Sequence, residues 1–293
     1  MKDSKTTQTK LDNSAVKNKV SNKIKHKTST RGFTKRHWLA FEKNHLLKHG
    51  IGLDDLEQYG QMPVEYISGW AEFMGHQFEL SPEVLIPRVE TEKFVELAVV
   101  LWQQELGSKP DLNLADVGTG SGAIGICFLL ELAERLPVAK PTAFLTDLSQ
   151  EAVKIAKKNY QRLVPDKLKS QFQAKFVVSD LMTDFPVNLE IKFDLILANL
   201  PYIPSGRLDK LEASVINYEP RVALEGGVDG FELIRKFLDQ VQAGQWLAPG
   251  GLVLLEVDEQ VEISRQSLNL TDQVKMEVLP DQYYNQRFII LRF

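Results

Sequence analysis

The chain has 293 residues, 43% hydrophobic and 25% charged, with a net charge of −4; these are globular proportions, and the length suits one large α/β domain plus a smaller module. Its longest apolar runs, around Ile124 to Leu130 and Leu252 to Leu255, fall short of the roughly 20 residues that span a bilayer, and no secretory signal is visible. A single cysteine, Cys127, excludes an intramolecular disulfide and a cysteine-based zinc cluster; it suits a core position in an apolar helix and a reducing, cytoplasmic setting.

Residues 1–31 carry eight Lys and one Arg against Asp3 and Asp12, a net +7, so the remaining residues sum to −11. An arm with so few apolar residues cannot offset the entropy of ordering, and disorder is expected there. Ribosomal RNA contact through phosphates and a merely solubilising tail both fit it. An Arg-rich, amphipathic transit peptide fits it less well.

Helical spacing over His37 to Leu47 and Leu53 to Tyr59 predicts a small helical module over 32–62. From Pro63 to Ile86 the run of Tyr66, Ile67, Trp70, Phe73, Phe78 and Leu80, punctuated by Gly69 and Gly75, predicts a β-hairpin linker over 63–87. A helix follows over Glu90 to Leu106. Strands near 112–117, 142–147, 175–179 and 193–198 then alternate with helices near 122–135 and 149–163, the second capped by Ser149. That alternation predicts an α/β domain over 88–293, a parallel sheet covered on both faces. Residues 203–229 read as a long, irregular and functional insertion. A helix over Gly230 to Val241, a buried strand over Gly251 to Val257 and a hairpin of 274–280 with 287–293 complete the chain.

Two strand ends carry the chemistry. The first runs Asp116-Val117-Gly118-Thr119-Gly120-Ser121-Gly122. Its glycines let a ligand approach the backbone where a helix N-terminus offers free N–H groups. The spacing departs from the dinucleotide fingerprint, and no Gly-Lys-Ser/Thr follows to make a P-loop. Asp147, ending the second strand, can accept both hydroxyls of a ribose. Asp180 and Leu181, ending the third, offer a polar and an apolar side chain to an adenine. Asp116 would orient the turn from below.

The other strand end is Asn199-Leu200-Pro201-Tyr202. The Asn199 side-chain carbonyl and the Leu200 backbone carbonyl can accept the two hydrogens of an NH2 group. Pro201 restricts Leu200 to extended conformations, which aims that carbonyl, and Tyr202 offers a flat face. Methyl transfer to an amide or amine nitrogen is the expected reaction. Catalytic Ser-His-Asp or Cys-His patterns and metal-ligand clusters are not evident in the sequence.

With these motifs, the chain resembles the S-adenosylmethionine-dependent release-factor glutamine methyltransferases, the HemK/PrmC family. The resemblance covers roughly residues 62–293 and includes Tyr66-Ile-Ser-Gly-Trp-Ala-Glu-Phe, Val84-Leu-Ile-Pro-Arg88-Val-Glu90-Thr-Glu92, and Glu219-Pro-Arg-Val-Ala-Leu-Glu-Gly-Gly227 with Asp229-Gly230. It implies a seven-stranded, Rossmann-like class I methyltransferase sheet behind a helical substrate-docking domain. It also implies N5-methylation of the glutamine in the Gly-Gly-Gln loop of peptide-chain release factors. S-adenosyl-L-methionine would lie on Asp116, Gly118 to Gly122 and Asp147, with Asp180 or Leu181 near adenine, and Asn199 to Tyr202 would hold the glutamine. A monomer is expected.

Three departures from the family pattern stand out. Leu200 replaces the first Pro of Asn-Pro-Pro-Tyr, which keeps the carbonyl but loosens the backbone unless neighbours fix the turn. Val89 replaces a Pro, and the segment before Pro63 is shorter than the usual helical domain. A glutamine methyltransferase acting on a ribosomal large-subunit protein shares the same corner. An N6-adenine DNA methyltransferase would need a target-recognition domain for which the acidic body leaves no obvious face. A catalytically inactive ribosome-associated module follows if Leu200 abolishes turnover.

Overall fold

The computed structural model describes residues 36–185 and 191–293. The basic arm expected over 1–31, and the first residues of the expected helical module, lie outside the described residues. Trp38–Phe293 form one compact unit.

The N-terminal elements are helix α1 (Ala40–Lys48), a 3-10 turn at Leu56–Tyr59 and helix α2 (Val64–Ser68). They share a small apolar cluster of Trp38, Leu46, Leu56, Val64 and Ile67. Leu39, Phe41 and Leu47 face outward, because so small a module offers α1 only one layer to pack against. Helix α2 corrects the hairpin expected from Pro63 onward. Pro63 stands at its N-cap with φ −55°, and Gly69 ends it at φ +79°. Val64 and Ile67, three apart, therefore lie on one helical face. The hairpin begins at Trp70: β1 (Trp70–Phe73) pairs antiparallel with β2 (His76–Glu79). Its turn is Met74-Gly75, both at positive φ, the two-residue geometry that matches strand twist.

Helix α3 (Glu90–Gln104), β3 (Asn113–Val117), α4 (Ala123–Arg135), β4 (Thr142–Asp147), α5 (Gln150–Leu163), the short α6 (Asp166–Lys169), β5 (Gln173–Val178) and β6 (Phe193–Asn199) follow. Ser149 caps α5 as expected, its hydroxyl accepting from the Ala152 N–H at 3.2 Å. The 203–229 segment is less irregular than expected: it holds 3-10 turns at Ser205–Lys210 and Arg221–Ala223 and helix α7 (Ala213–Ile216). Helix α8 (Glu232–Ala243), β7 (Leu247–Glu256), β8 (Lys275–Pro280) and β9 (Gln286–Arg292) complete the domain.

Seven strands form one sheet in the order β5-β4-β3-β6-β7-β9-β8. The pairs from β5 to β7 are parallel, and β9 runs antiparallel between β7 and β8. Strand β6 is buried from Phe193 to Ala198; after Asp194, which pairs with Lys109, Leu195 to Ala198 form the unbroken apolar run of a parallel strand covered on both faces. Leu195 and Leu197 join the core beneath α3 and α4, while Ile196 and Ala198 join that beneath α8. Chain direction across the sheet reverses at β3, and ligands of such sheets bind beyond the carboxyl ends of the strands at that point.

Asn159 of α5, fully buried, ties three elements together. Its Oδ1 accepts from the Glu79 N–H at 2.8 Å, while its Nδ2 donates to the carbonyls of Glu79 at 3.0 Å and Ser121 at 2.9 Å. The hairpin, the glycine turn and α5 are thereby held by one side chain. Asn159→Leu strands those backbone groups, and urea unfolding should show a loss of about 1–3 kcal/mol.

Candidate active site

Strand β3 ends at Val117, and the chain turns sharply through Gly118 at φ +75°, Gly120 at φ +56° and Gly122 at φ +85°. The N–H groups of Gly118 and Thr119 donate to the Thr146 carbonyl at 2.9 and 2.8 Å, pinning the turn to the neighbouring strand. Ser121, 3% exposed, is built into the turn. A Cβ on Gly118 would lie 3.1 Å from Leu200 Cδ2 and 3.5 Å from the Asn199 carbonyl. The two strand ends singled out in the sequence are therefore in direct contact.

Asp116 lies fully buried below the turn. Its Oδ2 accepts from the Thr119 hydroxyl at 2.6 Å and from the Gly125 N–H at 3.0 Å, whereas Oδ1 has no hydrogen-bond partner. Burial pushes its pKa up to about 6, against the opposing pull of these two donors. Asp147 bridges the turn and the start of α5, accepting from the Gly120 N–H at 2.9 Å and the Ser149 N–H at 2.8 Å. Burial raises its pKa too, and the two amides oppose the rise.

This chemistry fits S-adenosylmethionine. A glycine turn backed by the buried Asp116 and the half-buried Asp147 disfavours phosphate and favours a ligand carrying positive charge. The remaining lone pairs of Asp147 supply acceptors that a cationic nucleoside can use, while Asp116, its Oδ1 orphaned below the turn, adds negative charge behind it. Asp180 sits at the next strand end, its carboxylate paired with Lys236 Nζ at 2.6 Å on the surface. Leu181, at φ +58°, turns its side chain into the core cluster that also holds Val117 and Leu200.

At the acceptor end, Asn199 is the last residue of β6 and lies directly opposite Glu256 of β7. Its Nδ2 donates to Thr91 Oγ1 at 3.4 Å, and the Thr91 hydroxyl donates to Glu256 Oε1 at 3.1 Å. Burial lifts Glu256 to about 7; Thr91, Arg287 and Asn199 oppose the rise and Glu90 adds to it. Thr91 and Glu256 carried no assigned role in the sequence reading. The rule that acids stand at successive strand ends, extended to the strand after α8, would have found Glu256. Thr91 stood unassigned within the Val84 to Glu92 run.

Leu200 is 3% exposed, joins the core cluster that also holds Val117, Ala198 and Phe231, and lies against Gly118, so burial fixes the turn where a proline would have stiffened it. Val89 keeps φ −63°, the value a proline ring imposes. Pro201 and Tyr202 are backed by the glycine segment of the 203–229 insertion. A Cβ on Gly226 would lie 2.7 Å from both the Pro201 carbonyl and Tyr202 Cα. The Ile203 N–H donates to the Leu224 carbonyl and the Gly226 N–H to the Ile203 carbonyl, at 2.9 Å each. Arg88 closes the frame, one nitrogen meeting both Glu219 oxygens at 2.6 and 2.8 Å. Burial, with Glu256 adding to it, pushes the Tyr202 hydroxyl well above the usual tyrosine range. Asp147→Ala should weaken S-adenosylhomocysteine binding in calorimetry by roughly ten- to hundredfold, the scale of a lost charged hydrogen bond.

Residues 91–227 match the methyltransferase small domain family. A release factor glutamine methyltransferase of Koribacter versatilis is 36% identical over 219 residues, covering 75% of this chain and 70% of that protein. One from Moorella thermoacetica is 40% identical over 196 residues, covering 67% of this chain and 62% of that protein. Among solved structures, the hMettl16 catalytic domain in complex with a MAT2A 3′UTR hairpin superposes with a TM-score of 0.50 at 16% identity. It covers 73% of this chain and 74% of its own, and shows the shared class I methyltransferase fold. With the glycine turn, the Asn-Leu-Pro-Tyr corner and this similarity together, the chain belongs to the release factor glutamine methyltransferase family.

Proposed function

We propose that this chain methylates N5 of the glutamine in the Gly-Gly-Gln loop of peptide-chain release factors. The observation that carries the reading is the contact of Gly118 with Asn199 and Leu200, which sets a cationic-nucleoside cradle against a corner shaped for a planar NH2 group. Bound S-adenosylmethionine supplies an electrophilic methyl group on a positively charged sulfur. Asp116, the turn from Gly118 to Gly122 and Asp147 orient it. Asp180 would take the adenine edge, its exposed Lys236 pair opening at little cost, and Leu181, its side chain in the core beneath, would support that strand end.

An amide nitrogen is a weak nucleophile because its lone pair is delocalised. Asn199 Oδ1 and the Leu200 carbonyl would accept its two hydrogens and stabilise the positive charge that grows on nitrogen during methyl transfer. Loss of one proton to solvent water would leave the neutral methylamide. Such preorganised acceptors typically contribute about 3–4 kcal/mol each, and in-line positioning contributes more. Tyr202 confines the amide plane, and Pro201 with the Gly226 backing keeps the corner rigid.

The purified chain should be incubated with methyl-labelled S-adenosylmethionine and, separately, with release factor, ribosomal subunits and DNA. Mass spectrometry is expected to find one added methyl on the Gly-Gly-Gln peptide, and Gln→Ala in that loop should remove it. Label on DNA, or on ribosomal protein without release factor, contradicts the proposal.

A further inference from the structure

Asn199 can serve the acceptor only if its oxygen faces outward, yet an amide side chain can rotate by half a turn and present nitrogen instead. Nothing in the Asn-Leu-Pro-Tyr corner itself selects one orientation. The selection comes from behind it. Thr91, the second residue of α3, is 3% exposed and Glu256, the last of β7, is 1% exposed. They form an unbroken chain, Glu256 Oε1 to Thr91 Oγ1 at 3.1 Å and Thr91 Oγ1 to Asn199 Nδ2 at 3.4 Å.

We infer that Thr91 and Glu256 act as a positioning pair that holds the Asn199 amide with its nitrogen inward and its carbonyl oxygen toward the acceptor. This rests on the acceptor role assigned to Asn199 above. A hydroxyl has one hydrogen. When the Glu256 carboxylate takes that hydrogen, Thr91 has only lone pairs left for Asn199, and only the Nδ2 hydrogens can satisfy them. A protonated Glu256 can instead donate to Thr91, which frees the threonine hydrogen to bond Asn199 Oδ1 and reverse the amide. The ionised form is therefore the productive one.

The charged groups acting on Glu256 come from each neighbouring element. Arg287 of β9 favours ionisation, Glu90 at the start of α3 opposes it, and burial sets the balance near the middle of the physiological range. Tyr202, itself influenced by Arg88, Arg287 and Asp258, faces the same carboxyl. Glu256 Oε2 is buried with no hydrogen-bond partner, so its protonation reaches Asn199 through the Thr91 bond and through the weaker direct pull of the Asn199 amide on the carboxyl.

The test uses the full chain with 15N-labelled asparagine, the Asn199 side-chain amide being assigned by its loss in Asn199→Ala. In the wild type its 15N–1H2 signals should titrate with a midpoint near the Glu256 value of about 7. The titration should vanish in Glu256→Gln, shrink markedly in Thr91→Val and persist in Thr91→Ser. With release factor as substrate, kcat should rise through the same pH range and level off above it. Thr91→Val should lower kcat roughly tenfold or more with the KM for S-adenosylmethionine little changed, and Thr91→Ser should restore most of the rate. A midpoint unchanged in Glu256→Gln, or wild-type kcat in Thr91→Val, overturns the inference. A chain that fails to methylate release factor yet shows the amide titration would instead sink the substrate assignment and leave the positioning pair standing.

Discussion

The parallel register of β3, β6 and β7 is the constraint from which the site follows. Val117 pairs with Ala198, and Asn199 pairs with Glu256. Each strand therefore stops at the same edge of the sheet, and the next residue of each projects beyond it. A slip by one residue would send Asn199 to the opposite face and withdraw Leu200 from Gly118. The apolar run from Leu195 to Ala198 fixes that register, because its alternate side chains are claimed by cores on both faces. Burial energy in the sheet thus sets the position of a polar residue that contributes little to the core.

Around this edge the structure keeps carboxyl groups where charge is costly. Asp116 and Glu256 are fully buried, and burial raises both toward neutrality. Their folded values exceed the usual carboxyl range, so the fold holds these protons at pH values where the unfolded chain has released them. The two groups therefore favour the folded state at acid pH, and that advantage fades as pH rises to about 6 and about 7 respectively.

The architecture was legible because its signals are local and repeated. Strand ends, the Ser149 cap and the closing hairpin all announce themselves within a few residues. The misread segment, Val64–Ser68, is short, and its apolar residues serve two different clusters, with Val64 and Ile67 in one and Tyr66 in another. No single periodicity emerges from five residues shared in that way. Of the candidate site, Asp116, Gly118, Asp147 and Asn199 stand next to strand ends, where sequence alone suggests a chemical role for each. Thr91 and Glu256 depend on a contact spanning 165 positions, which only the folded register creates. The influence of Leu200 was similarly non-local: its side chain replaces the stiffness of a ring by burial in the core cluster that also holds Val117 and Phe231.

Of the two proposed acceptors only Asn199 Oδ1 belongs to a side chain, the other being the Leu200 backbone carbonyl, and replacing Asn199 is the most direct trial. Asn199→Ala should retain S-adenosylmethionine affinity within roughly threefold by calorimetry while losing roughly a hundredfold or more in single-turnover methyl transfer. An Asn199→Ala chain that transfers methyl groups at the wild-type rate, with the cofactor bound as before, would contradict it.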